Sequence, residues 1–215
     1  MSAEVRFPGY DVLAKHDGKS WNEATRRTLD ARMSVPRQPR FFDPAQWQTL
    51  CALCDRIIPQ PQGKEPVPLA AMLDARLLSG RTDGFRRATL PQQDEAWRRG
   101  LAALDTEARA RHGAAFHELK TEDQEQLLHK VQGGEVSREV WGDMSSQEFF
   151  CHRVLLDIAA AYYAHPTAWN EIGFGGPASP RGYVRMDFDR RDPWEAAEAH
   201  QGEEEQARRD NQRVR

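Results

Sequence analysis

Apolar residues recur along much of the chain at three- and four-residue spacing, and no strands appear at regular intervals. In FFDPAQWQTLCALCDRIIP, Trp47, Leu50, Cys51, Cys54, Ile57 and Ile58 stand at offsets 0, 3, 4, 7, 10 and 11, which places them on one helix face. Asp43 is positioned as the N-cap, Pro44 suits the first helical position, and Pro59 ends the element. LAAMLDARLLSG predicts a shorter helix stopping at Gly80. Residues 92–112 predict one further helix or two shorter ones, with Gly100 and Leu101 at the weak point and Trp97, Leu101 and Leu104 on a shared face. Thr121 and Gln124 have capping-box spacing ahead of an apolar stripe, Leu127, Leu128 and Val131, which Gly133-Gly134 closes.

The run SSQEFFCHRVLLDIAAAYYA, residues 145–164, is apolar around most of its circumference, the mark of a helix surrounded by others. Arg153 and Asp157, one turn apart within it, are spaced to pair along the helix. Before these elements lies a single helix, SWNEATRRTLDARM, with Ser20 and Glu23 at capping-box spacing, between proline-bearing extended flanks. After them, AYYAHPTAWNEIGFGGPASPRGY reads as a long ordered loop that leaves the central helix at His165-Pro166, too rich in aromatics for a disordered linker. The last residues are mixed charge, read as a frayed helix or a disordered tail. The expected fold is all-α: an irregular helical bundle over residues 40–186, an extended N-terminal arm over 1–39 and a charged C-terminal tail over 187–215.

Composition narrows the function. Thirty Lys and Arg against 33 Asp and Glu give a net charge of −3, without the basic excess that nucleic-acid binding requires. No apolar run is long enough to span a membrane, so no direct membrane insertion is expected. The N-terminal residues lack the basic-then-apolar order of a secretory signal, and Arg26-Arg27 has no apolar region after it. The expected location is therefore the cytoplasm.

Candidate chemistry is sparse. GFGGP lacks the preceding strand and following helix of a phosphate loop, the seven histidines form no zinc-site spacing, and no G-x-S-x-G elbow occurs. His165 with Glu171 makes at most half a metal site. Cys51, Cys54 and Cys151 are too few for a disulfide scaffold, and C-A-L-C lies in mid-helix, where cysteine packs as a small hydrophobe. No catalytic, cofactor-binding or metal residue is assigned. The aromatics of the arms and loop remain, and aromatic residues anchor protein interfaces. Phe7, Tyr10, Trp21, Trp169, Asn170, Glu171, Phe174, Tyr183 and Trp194 are the expected partner-binding residues. In the other reading, loop and arms wrap the chain's own bundle.

The segments FFDPAQWQTLCALCDRIIP, GLAALDTEARARHGAAFHELKTEDQEQLL and EFFCHRVLLDIAAAYYAHPTAWNEIGFGGPASPRGY together resemble the gluconate 2-dehydrogenase subunit 3 family, with HPTAWNEIGFGGP the most specific part. The resemblance implies a non-catalytic small subunit that stabilises, in a chaperone-like way, an FAD-containing large subunit of the glucose-methanol-choline class. It also implies a cytochrome c subunit, or another electron acceptor, reached through the complex. Many relatives begin with a twin-arginine signal, so a second location is implied: the periplasm, reached by co-export with a partner that carries the signal. A reading from a different class is a cysteine-based electron-transfer or metal-binding module.

Overall fold

Asp43 caps the helix that its sequence announces. In the computed structural model, which describes residues 5–61, 65–84, 87–178, 182 and 190–214, the Asp43 carboxylate accepts from Gln46 N, the Gln46 side chain returns to Asp43 N, and Pro44 opens the helix. The helices are α1 (Glu23–Met33), α2 (Pro44–Ile57), α3 (Leu69–Leu78), α4 (Gln93–His112), α5 (Thr121–Gly133), α6 (Arg138–Trp141), α7 (Ser146–Phe149), α8 (Leu156–Tyr163), α9 (Pro166–Ile172) and α10 (Glu204–Asn211), with a π-helical stretch, Phe150–Leu155, joining α7 to α8. There is no sheet among the described residues, and the protein is all-α.

The chain divides into two compact units. One comprises residues 35–162; the other combines residues 1–34 with 163–215. The expected arm, bundle and tail are thus regrouped. Arm, loop and tail form a unit of their own, because their aromatics supply a separate core.

In the 35–162 unit, α2 packs on α3 and α4, and α4 touches α5, α6 and α7. Leu50, Leu53, Leu73, Trp97, Leu101, Leu104, Phe116, Leu127 and Phe149 are among its buried side chains. Helix α4 runs unbroken through Gly100, where a second helix start was conceivable. Glycine is needed there for close approach: the Phe149 ring lies where a Cβ would sit, and the same ring stands edge-on to Trp97 with centroids 5.5 Å apart. The segment entering α2 is anchored by buried Asp74 of α3, whose carboxylate accepts from the backbone N–H groups of Arg40, Phe41 and Phe42 at 2.9, 2.9 and 3.1 Å.

Two expected caps are displaced. Asn22, not Ser20, caps α1, its Oδ1 accepting from Thr25 N at 2.9 Å. Thr121 is the first residue of α5 and follows Lys120, which makes no side-chain cap; Gln124 turns inward and donates to Phe116 O at 2.9 Å. The central run is also not one uniform buried helix. Its π turn carries more residues per turn and shifts the register. Phe149, Phe150, Val154, Asp157 and Ile158 face inward, while Leu156 stays 55% exposed.

In the other unit, the core is Tyr10, Val12, Trp21, Leu29, Trp169 and Val214, with Phe7, Leu13 and Ala196 against it. Much of the first half of the expected loop is helix, with the end of α8 followed by α9. Pro166 occupies the first helical position of α9, His165 Nδ1 accepts from Thr167 N, and Gly173 ends the helix at φ +67°. Of the two readings of the tail, frayed helix or disorder, the helix is the one found: α10 occupies Glu204–Asn211.

Candidate partner-binding surface

Arm, loop and tail are stitched together by polar groups from all three. Lys15 is fully buried; its Nζ donates to Trp194 O at 2.6 Å, Gly175 O at 3.2 Å and Tyr10 OH at 3.3 Å. Burial, helped by neighbouring Asp11, pushes the Tyr10 hydroxyl up to about 12, so it remains a neutral partner for that ammonium. Asn170 Oδ1 accepts from Val12 N at 2.7 Å, joining α9 to the arm. Asn211 of α10 accepts from Ala197 N at 2.7 Å and donates to Pro8 O and Ala197 O at 2.9 Å each.

The expected partner-binding residues separate accordingly. Tyr10, Trp21 and Trp169 are core. Asn170 is turned to the arm, and Trp194 is half-buried with its carbonyl on Lys15. Phe7 is half-buried against the end of α9, where a Cβ on Gly173 would come within 2.5 Å of its ring. This is what the glycine-rich GFGGP segment does: Gly173 admits both the left-handed turn and the Phe7 ring. Glu171 and Phe174 are exposed, and Tyr183 lies outside the described residues.

The exposed side chains gather around the buried Trp169 ring. Trp169 Nε1 donates to Tyr163 O at 2.6 Å, and Phe174 packs edge-on to the indole. Tyr163 is 53% exposed, Ile172 48% and Phe174 39%. Arg32 Nη1 donates to Ala164 O at 2.9 Å, which brings the end of α1, with exposed Met33, to the same bend. Large apolar side chains held outward on a rigid core are the makings of an interface. Tyr163 and Ile172 were missing from the expected set. Reading α9 from Pro166 and Gly173 would have supplied Ile172, since it closes that helix beside Glu171.

The cysteines occupy a different setting in the 35–162 unit. All three are free thiols. Burial, with neighbouring Asp55, pushes Cys51 up to about 11, and burial pushes Cys54 well above the ordinary thiol range. Both therefore hold their protons, and Cys54 packs in the core. Among the described residues, no three His, Cys, Asp or Glu side chains are grouped so as to share a metal ion. Among the same residues, no helix is long and apolar enough to cross a membrane.

The fold is all-α, and around Trp169 it leaves Tyr163, Ile172 and Phe174 exposed. Comparison with known protein families matches residues 44–176 to the family described as gluconate 2-dehydrogenase subunit 3, and the chain belongs to that family. The matched span takes in Tyr163, Ile172 and Phe174; the arm and α10, which complete the core beneath them, lie outside it. No curated protein and no solved structure matches the chain.

Proposed function

We propose that the chain is a non-catalytic accessory subunit that binds and stabilises an FAD-containing catalytic subunit of the glucose-methanol-choline class, within a sugar or sugar-acid dehydrogenase complex. The observation that carries this reading is the pairing of family membership with the outward placement of Ile172 and Phe174 on a braced core. The flavin, the substrate site and the route to a cytochrome c or other acceptor belong to the partners. Stabilisation follows from mass action: a subunit that binds only the folded flavoprotein shifts its folding equilibrium toward the native state. The complex acts in the cytoplasm, or in the periplasm when the partner carries a twin-arginine signal.

Co-expression with a flavoprotein of the glucose-methanol-choline class from the same organism, followed by gel filtration and flavin absorbance, tests the proposal. The expected result is a stable heteromer and a higher yield of flavin-loaded enzyme. A chain that elutes alone and leaves that yield unchanged overturns it.

A further inference from the structure

The 35–162 unit holds a second organised feature, remote in kind from the apolar patch. Asp157 is almost fully buried, and its Oδ2 accepts from Trp97 Nε1 at 2.7 Å and Gln93 Nε2 at 2.9 Å. Arg153 Nη1 lies 3.6 Å from the same oxygen and 3.1 Å from Asp83 Oδ2. Arg76 completes a four-membered network, paired with Asp83 and 3.9 Å from Asp157 Oδ1. Beside it, Arg87 Nε stands 3.5 Å from Glu148 Oε2.

Asp83, Arg87, Gln93 and Arg153 of these groups line a cleft of about 280 Å³, together with Thr82 and Gln92 among others. Two properties of the cleft select a ligand class. Each charged side chain on its lining is already paired, Asp83 with Arg76 and Arg153, Arg153 also with Asp157, and Arg87 with Glu148, so a charged ligand would have to break an existing pair. Its polar atoms are mixed in kind: guanidinium N–H donors from Arg87 and Arg153, carboxylate acceptors on Asp83, and the hydroxyl of Thr82. Gln93, on the lining and 8% exposed, also keeps a buried Oε1 with no hydrogen-bond partner among the described residues, so this wall is not satisfied by them. A hydroxyl both donates and accepts and carries no charge. The volume is at the small end of ligand pockets, below what a dinucleotide cofactor occupies.

We infer that this cleft is a binding site for a small uncharged polyol. Arg153 is held by Asp83 and Asp157 in advance of binding, and Arg87, half-exposed at the rim, supplies the donor that closes on the ligand.

Isothermal titration of the full chain with erythritol and with myo-inositol, and with sodium acetate and guanidinium chloride as charged probes, tests the inference. Saturable binding of at least one polyol is expected, weakened about tenfold in Arg87→Gln, a change worth one hydrogen bond to a charged group. Arg87→Gln leaves the four-membered network intact, and an unchanged circular dichroism spectrum checks that it folds. The inference is overturned if neither polyol saturates, if acetate or guanidinium binds more tightly than both, or if Arg87→Gln binds polyol as the unaltered chain does.

Discussion

The Phe174 ring stands edge-on to the Trp169 indole, with centroids 5.4 Å apart and planes at 89°, and the two rings have opposite fates. Trp169 is 3% exposed and part of a core; Phe174 retains 39% of its surface. Substitution at one should read out folding, and at the other association.

Trp169→Ala is expected to destabilise the arm-loop-tail unit by about 3–5 kcal/mol, the usual cost of emptying a buried aromatic site. Phe174→Asp should cost about 1 kcal/mol, the scale of one aromatic edge contact, yet abolish co-elution with the flavoprotein. Thermal denaturation followed by near-ultraviolet circular dichroism, alongside gel filtration, separates the two effects. Equal loss of stability in both variants would place Phe174 in the core in function as well.

Asp157 is the most buried charge of its network, and its removal breaks a buried ion pair, leaves Arg153 with Asp83 alone and takes the acceptor from Trp97 Nε1 and Gln93 Nε2. Asp157→Ala is expected to cost about 3–5 kcal/mol, read as a lower urea midpoint. Asp157→Asn, which preserves shape and an acceptor for Trp97, should cost less. A neutral result for Asp157→Ala would show that the network contributes nothing net.

At Gly100 a methyl group meets the Phe149 ring, which Trp97 and Trp141 hold from either side. Gly100→Ala should therefore destabilise by about 1–3 kcal/mol, the range for overpacking, although alanine is the better helix former. Phe149→Leu in the same chain should recover part of that loss, and a double-mutant cycle in chemical denaturation measures the coupling.

The thiols carry a pH signature. Cys51, raised from 9.0 to about 11, is ionised to about one part in a thousand at pH 8, so its reaction with a disulfide reagent should be slow and should accelerate toward pH 11. The sign for stability follows. Because the folded value lies above the unfolded one, the protonated thiol's contribution is complete below pH 9 and is lost as pH rises from 9 to 11. Fast labelling of the native protein at pH 8 would contradict both statements.

Much of the 35–162 unit was legible in the pattern of residues. Asp43-Pro44 and the apolar face from Trp47 to Ile58 announce α2 without reference to anything distant. Arg153 and Asp157 do pair along their helix. What escaped was set at long range. Asn22 wins the cap of α1 while Ser20 lies buried, and nothing local distinguishes the two. The π turn moves Leu156 outward by a change of register that an apolar-all-round sequence leaves unmarked. Lys15 would ordinarily be assigned to solvent; its oxygen partners include Tyr10, Gly175 and Trp194, and only the folded chain brings them together. For α9 the local signals were present in Pro166 and Gly173, but the glycine-rich stretch that follows obscured them.

The bond from Asn211 Nδ2 to Pro8 O joins residues 203 positions apart, and this has a bearing on synthesis. During translation the arm emerges early with Tyr10, Val12 and Trp21 uncovered, and it waits through the whole intervening stretch for α10 and Val214. A ribosome-stalled or truncated product ending before Glu204 would lack part of the support beneath Phe174, and the flavoprotein should not retain it. Pull-down of the flavoprotein with chains ending at 203 and at 215 checks this. The meeting of the two chain regions would then make entry into the complex depend on synthesis having passed through α10.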